Sequence, residues 1–346
     1  MSSPDAITHL FYGQDEPSLK EQLAEFIAAS SDPATADLNT SRLDGSGISV
    51  AEIESAARAM PFLAETRLVL VSNLTGSASG RASIDALGPA IRTLPDSTRL
   101  VLVETGLADE DGEGKRSAGR AQALRKLVNL VEGDPRGKVH AFEFPTRDKL
   151  PDWLKARAKR HGAALDAAAA RMLAERIGGD LILADSELEK LATYTMAERP
   201  ISADDVALLT PYSAEANVFK MVDALGERKG QVALRLLRQL LDDGEEPLRV
   251  FGMIVRQYRL LVQMREQLDL GMSVASAASA LQLRDFVARS LGEQAKNYRM
   301  EHLERILEIL LETDIAIKTG DFEKTQNMKP GEMAIEQLVV RLAGRG

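Results

Sequence analysis

Over the first third of the chain, short apolar runs alternate with amphipathic stretches. Residues 7–12, 68–71, 100–103 and 139–144 are continuous enough in apolar character to predict strands buried on both faces, with 39–43 a weaker fifth. Between them, helix-period patterns cover 18–29, 50–60, 84–94 and 118–131, and 75–80 and 106–119 read as flexible loops. That alternation predicts a mainly parallel sheet sandwiched by helices. After Pro145 the pattern is wholly helical. Helices are expected over 152–161, 167–177 and 180–194, with Gly178 and Gly179 separating the last two. A short fourth follows Pro200, where Ser202 and Asp205 have capping-box spacing.

A third pattern starts near Ala214. Val218, Met221, Val222 and Leu225 form one stripe, and Ala233, Leu236, Leu237, Leu240 and Leu241 the next. Pro247 stands where a first-turn proline belongs, ahead of a stripe through Val250, Ile254, Tyr258 and Leu261. Later stripes run through Leu303, Ile306 and Leu310, and through Ile335, Leu338 and Leu342. The apolar faces are broad and carry no sustained heptads, so a globular bundle is expected rather than a coiled coil. The predicted division is 1–144, an α/β domain; 145–211, a small helical domain; and 212–346, a larger helical domain.

At 346 residues two or three domains are natural, and 45% hydrophobic with 27% charged residues is ordinary for a globular protein. No apolar run approaches the length of a membrane span, and the first residues lack an export signal, so a cytoplasmic home without membrane contact is expected. With no cysteine there are no disulfides, thiol nucleophiles or thiolate metal sites. A formal charge of −9 argues against a stand-alone nucleic-acid binder, while leaving room for a local basic patch inside a complex.

The first strand is the place to test for nucleotide chemistry. Gly13-Gln-Asp-Glu-Pro-Ser18-Leu19-Lys20 follows it, and a phosphate-binding loop needs a second glycine, then lysine, then serine or threonine. Ser18, Leu19 and Lys20 stand in those slots, Lys20 is one position late, and Asp15 and Glu16 would repel phosphate. The strand over 68–71 runs into Ser72-Asn73 without an acidic magnesium ligand, and Glu104 reads as a surface charge at a strand end. His9, His140, His161 and His302 show no metal-ligand spacing, and there is no Gly-x-Ser-x-Gly elbow. No catalytic residue, metal or cofactor is expected.

What remains is an unusual turn. Pro61 ends the helix over 50–60, and Phe62 and Leu63 stand side by side before the strand at 68–71, in a chain with nine Phe and one Trp. Turns lie on the surface, so two adjacent large apolar residues are either a plug folded onto the local core or a hook offered to a partner's pocket.

The segments Ala59-Met-Pro-Phe-Leu-Ala-Glu-Thr-Arg-Leu-Val-Leu-Val71, Asp185-Ser-Glu-Leu-Glu-Lys-Leu191, Val218-Phe-Lys-Met-Val-Asp-Ala-Leu225, Leu240-Leu-Asp-Asp-Gly-Glu-Glu-Pro-Leu248 and Asp314-Ile-Ala-Ile-Lys-Thr-Gly320, in that order and spacing, resemble the delta subunits of the bacterial DNA polymerase III clamp loader. The resemblance covers essentially the whole chain. It implies a degenerate AAA+ (RecA-like) parallel-sheet domain without a working phosphate loop, a helical lid and a C-terminal helical collar. It implies that Phe62 and Leu63, with Met60 and Pro61 beside them, enter a pocket on the ring-shaped sliding clamp (beta) and help open it for loading onto primed DNA. The partners it implies are the clamp, the motor (gamma/tau) subunits and delta-prime, in a heteropentamer whose other members hold the ATPase. The Ser-Arg-Cys finger of the motor and delta-prime subunits cannot be present without cysteine. The alternatives are a divergent ATPase of the same fold and a helical scaffold in which Phe62 and Leu63 are core. Lys115, Arg116, Arg120, Arg125 and Lys126 form a basic cluster that either meets DNA phosphates or is a solvated helix face. Phe322 either stacks on a base at a primer end or tucks against the third domain.

Overall fold

The computed structural model describes residues 6–30, 33, 35–106, 115–146, 148–281, 283, 285–319 and 331–344. The chain divides into two compact units, residues 1–144 and 145–346.

The first unit is built on a five-stranded, wholly parallel sheet of β1 (Thr8–Gly13), β2 (Thr40–Asp44), β3 (Arg67–Ser72), β4 (Thr98–Glu104) and β5 (Gly137–Phe142), in the order β2-β3-β4-β1-β5. The two-residue period of a strand sends alternate side chains to opposite faces. Phe11, Leu68, Leu70, Val101, Val103 and Phe142 therefore pack against Leu19, Leu23, Phe26 and Ile27 of α1 (Glu16–Ser30). Leu10, Val69, Val71, Leu100 and Leu102 pack on the other face against α3 (Val50–Arg58), α4 (Ala78–Arg92) and α5 (Lys115–Glu132). A four-residue helix, α2 (Ala36–Asn39), leads into β2.

β3 and β4 are buried on both faces as expected, but β2 and β5 are edge strands whose side chains, Phe142 apart, are half-buried or exposed. The apolar run expected over 139–144 also contains His140, which stacks on Phe11 with ring centroids 4.2 Å apart. Residues 75–80 are not one loop. Ser77 Oγ accepts from the Gly80 amide at 2.9 Å and caps α4, so the helix starts at Ala78 and Asn73 to Ser77 connect it to β3.

The second unit is helical. α6 (Leu150–Arg160), α7 (Ala167–Arg176), α8 (Leu181–Tyr194) and α9 (Ala203–Leu209) pack together, with a short bridge between Leu165 and Ile201. Asp185 on α8 takes Arg157 Nε at 2.5 Å and His161 Nε2 at 2.6 Å. Burial works against its ionisation, but these bonds hold its carboxyl below the usual range. Leu188 and Leu191 from the same segment are buried, so its pattern is a helix-packing signature.

The remaining helices are α10 (Ala214–Gly226), α11 (Gly230–Asp242), α12 (Pro247–Asp269), α13 (Val274–Ala280), α14 (Asp285–Ala295), α15 (Met300–Thr319) and α16 (Glu332–Gly344). They share one core around α12, whose Val250, Ile254, Tyr258, Leu261 and Met264 are all buried. Gly226 lets α10 approach the Tyr298 ring, since a Cβ there would stand 2.8 Å from it. The Tyr298 hydroxyl donates to the Val222 carbonyl at 2.8 Å. α13 and α14 carry no broad leucine stripe, so the sequence pattern does not predict them; α13 packs through Ala277 and Ala278. Among the described residues no helix is long and apolar enough to cross a membrane.

Candidate functional site

α3 starts with a capping box between Ser49 and Glu52 and ends at Arg58, two residues earlier than its apolar pattern suggests. The residue before a proline disfavours helical backbone, and extension starts already at Ala59, with ψ at 136°. The chain then turns through Met60, Pro61, Phe62 and Leu63 before entering β3. Met60 is 88% exposed, Phe62 57% and Leu63 79%. Pro61 is half-buried. Neither large residue of the pair is a core plug in this structure. Leu63 has φ at 50°, in the left-handed region that bulky side chains rarely enter.

The loop is held by its backbone rather than by its apolar side chains. Asn39, the last residue of α2, is buried and binds both main-chain polar groups of Phe62. Its Oδ1 accepts from the Phe62 amide at 2.6 Å, and its Nδ2 donates to the Phe62 carbonyl at 2.9 Å. Thr66 Oγ1 donates to Ser30 O at 2.7 Å, and Arg67 Nε donates to Ala56 O at 2.6 Å. Thr98 Oγ1 donates to Ala57 O at 2.6 Å, fixing the end of α3. The sequence pattern places Asn39 only at the start of a weak strand, and nothing in its sequence neighbourhood marks it as a support of the loop. Leu38, directly before it, is also exposed.

The second candidate place is the crevice at the carboxyl ends of β1 and β4, where α1 and α5 leave on opposite faces; open parallel sheets bind ligands at such a switch point. Here the chain fills it. Only Gln14 and Asp15 separate β1 from α1, and both their amides donate to Phe142 O, at 2.8 and 3.0 Å. Gly13 has φ at 148°, and a Cβ on it would lie 2.0 Å from Phe142 O, so the turn is closed against β5. Asp15 Oδ1 accepts from the Ser18 amide at 3.1 Å, occupying the helix N-terminus that would hold a phosphate. Leu19 is buried in the core, and Lys20 points outward to Glu16 at 3.1 Å.

Glu104, expected as a surface charge, is fully buried at the end of β4. Its carboxylate accepts from the Thr75 amide at 3.2 Å and from the Thr75 hydroxyl. Burial pushes its pKa up, against the lowering effect of the Thr75 bonds and the nearby Arg120 charge. Arg120 Nε donates to Thr75 Oγ1 at 3.1 Å, and its terminal nitrogens to Thr105 O at 2.6 Å and Gly106 O at 3.3 Å. The Gly106 amide donates to Glu16 Oε1 at 2.9 Å. These bonds tie the loops after β3 and β4 to the start of α1.

This corrects the expected basic cluster. Arg120 is turned inward, and Lys126 is paired with Asp85 at 2.8 Å, which leaves Arg125 exposed on α5. The side chains of Lys115 and Arg116, and all of Phe322, lie outside the described residues. His9 and His140, which sequence spacing did not connect, meet at 3.2 Å between Nδ1 and Nε2. The His9 Nε2–H donates to Ala6 O at 2.9 Å, so its Nδ1 is left to accept from His140. Burial lowers both pKa values, that of His140 to about 4, so the pair is neutral. Among the described residues, no group of three or more His, Asp or Glu side chains can hold a metal ion.

Two family models match the chain: DNA polymerase III, delta subunit, over residues 9–132, and DNA polymerase III delta subunit, C-terminal domain, over residues 215–339. The chain belongs to the DNA polymerase III delta-subunit family. It is 27% identical over 326 residues to DNA polymerase III subunit delta of Bacillus subtilis (strain 168), spanning 91% of this chain and 89% of that relative. It is 28% identical over 186 residues to the Escherichia coli (strain K12) subunit delta, 51% of each. The solved Bacillus subtilis DNA clamp loader delta protein has the same fold, with a TM-score of 0.71 at 24% identity over 99% of this chain and 96% of that one. The five-stranded parallel sheet with helices on both faces is thus the fold of that delta protein.

Proposed function

We propose that this delta-family chain is the clamp-holding subunit of a clamp loader, and that the loop of Met60, Pro61, Phe62 and Leu63 enters an apolar pocket on the sliding clamp. The observation that carries the reading is exposure without disorder. Two adjacent large apolar side chains stand in solvent on a loop whose backbone is bound to buried and structured neighbours. An exposed apolar pair on a fixed frame is what a binding hot spot requires.

Opening of the clamp would follow from binding alone. A ligand shifts an equilibrium only by its differential affinity for the two states, so the loop has to fit the clamp better with one ring interface open. Catalysis has no place in this chain. The crevice that would take a nucleotide holds Asp15, which accepts from the Ser18 amide, and Thr75, which is hydrogen-bonded to both Glu104 and Arg120. That arrangement disfavours the divergent-ATPase reading, which requires ATP to displace satisfied buried groups. The partition into a lid over 145–211 and a collar over 212–346, assembly with motor and delta-prime subunits, action on primed DNA and a cytoplasmic setting belong to the same proposal. The test is direct: isothermal titration of the purified chain with the sliding clamp of its own organism. Saturable binding that is lost on changing Phe62 and Leu63 supports the reading, and no binding at tens of micromolar overturns it.

A further inference from the structure

The loop's frame singles out one residue. Loops bearing adjacent apolar side chains tend to bury them locally, because doing so removes apolar area from water. Here that collapse is blocked at Phe62, both of whose main-chain groups are taken by one side chain from elsewhere in the unit. Asn39 can do this because an amide carries a donor and an acceptor side by side, matching the carbonyl and N–H of one residue. Its Nδ2 also donates to Thr35 O at 3.1 Å, which fixes the amide's rotation and so decides which end faces which group. Asn39 is 4% exposed, so the clasp works away from competing water. Aspartate would set an acceptor against the Phe62 carbonyl, and alanine would leave both groups unclasped.

We propose that Asn39 is a positioning residue for partner binding: by clasping the Phe62 backbone it holds Phe62 and Leu63 outward before the partner arrives. The proposal rests on the reading that this loop binds the sliding clamp. A segment ordered in advance does not lose its conformational freedom at the moment of association, and that saving appears as affinity. The left-handed backbone of Leu63 belongs to the same device, since a conformation that costs energy persists only where its surroundings over-determine it.

The experiment uses the full chain with Asn39→Ala and Asn39→Asp, each alone and combined with Phe62→Ala/Leu63→Ala, and Thr98→Val as a control. Thr98→Val removes a different support, the bond to Ala57 O, and leaves the clasp intact. Hydrogen exchange of the Phe62 amide is read in the free protein, and sliding-clamp affinity at a temperature where every variant is folded. Asn39→Ala is expected to speed exchange at Phe62 at least about tenfold, with β3 amides unchanged, and to weaken clamp binding about tenfold to a hundredfold. Asn39→Asp, which keeps the acceptor for the Phe62 amide, should fall between wild type and Asn39→Ala. In the background lacking Phe62 and Leu63, Asn39→Ala should cost no further affinity.

An equal cost in both backgrounds, or an equal loss with Thr98→Val, would overturn the positioning role and leave a general stability effect. Unchanged Phe62 exchange in Asn39→Ala also overturns it, whatever the clamp does. If the unaltered chain ignores the clamp, the underlying reading fails first, and the exchange result separately decides whether Asn39 holds the loop.

Discussion

Replacing Phe62 and Leu63 together by alanine separates a binding surface from a structural one. Full burial of a side chain of this size contributes about 1.5–3 kcal/mol. A partner can gain only from the part still in solvent, 57% of Phe62 and 79% of Leu63. The pair therefore offers about 2–4 kcal/mol to a pocket, a loss of roughly 30-fold to 800-fold in affinity at about 1.4 kcal/mol per decade. Core residues of the same type would instead cost about 2–5 kcal/mol each in folding stability. Clamp titration and urea unfolding of the same variant read both quantities. Leu63→Gly sharpens the contrast, because glycine adopts φ near 50° freely. It should lose affinity while keeping or raising the unfolding midpoint, so that binding and stability move apart. Undiminished affinity together with a lowered midpoint in the double variant would refute the reasoning.

Other outcomes follow from the crevice and the sheet. Glu104→Ala strands the buried Thr75 amide and hydroxyl and should cost about 3 kcal/mol in urea unfolding, with Glu104→Gln costing less; an unchanged midpoint would show that the network is not structural. Millimolar ATP with magnesium should leave the melting temperature where it is, whereas a ligand at a hundred times its Kd would add about 2.7 kcal/mol of stability, and a saturable rise would reopen the ATPase reading. His9 and His140 stay neutral in the folded chain below the pH at which they protonate when unfolded. The unfolded chain then binds more protons, so the pair's contribution to stability is full above about pH 6.5 and is lost as pH falls, for His140 down to about 4. His140→Gln should flatten the slope in that window, and an unaltered slope would assign it to other groups. Gly13→Ala, which drives a methyl into the Phe142 carbonyl, should unfold or severely destabilise the first unit, as far-ultraviolet circular dichroism would register.

The sheet was legible because β3 and β4 lie in its interior and carry continuous apolar runs, and the helix stripes of α10, α11, α12, α15 and α16 were legible for the same reason. The edge strands were harder to place, since half their side chains face water and their pattern weakens. α13 packs through alanine, which leaves no period to read. The exposed pair at Phe62 and Leu63 stood out as a turn with the wrong polarity, but the residue that frames it did not. Asn39 and Glu104 are polar, and sequence places polar residues outside by default. Their burial depends on partners 23 and 29 positions away, a distance no local pattern spans.

A crevice stoppered by Glu104, Thr75 and Arg120 has a consequence for time as well as for chemistry. On the proposed reading its contents arrive with folding and leave only with unfolding, so this unit would keep one internal state at every energy level of the cell and hold no clock of its own. If the Phe62–Leu63 loop is offered at some moments and withheld at others, the rhythm has to be imposed from outside, by neighbours that cover and uncover a tool which is itself always drawn.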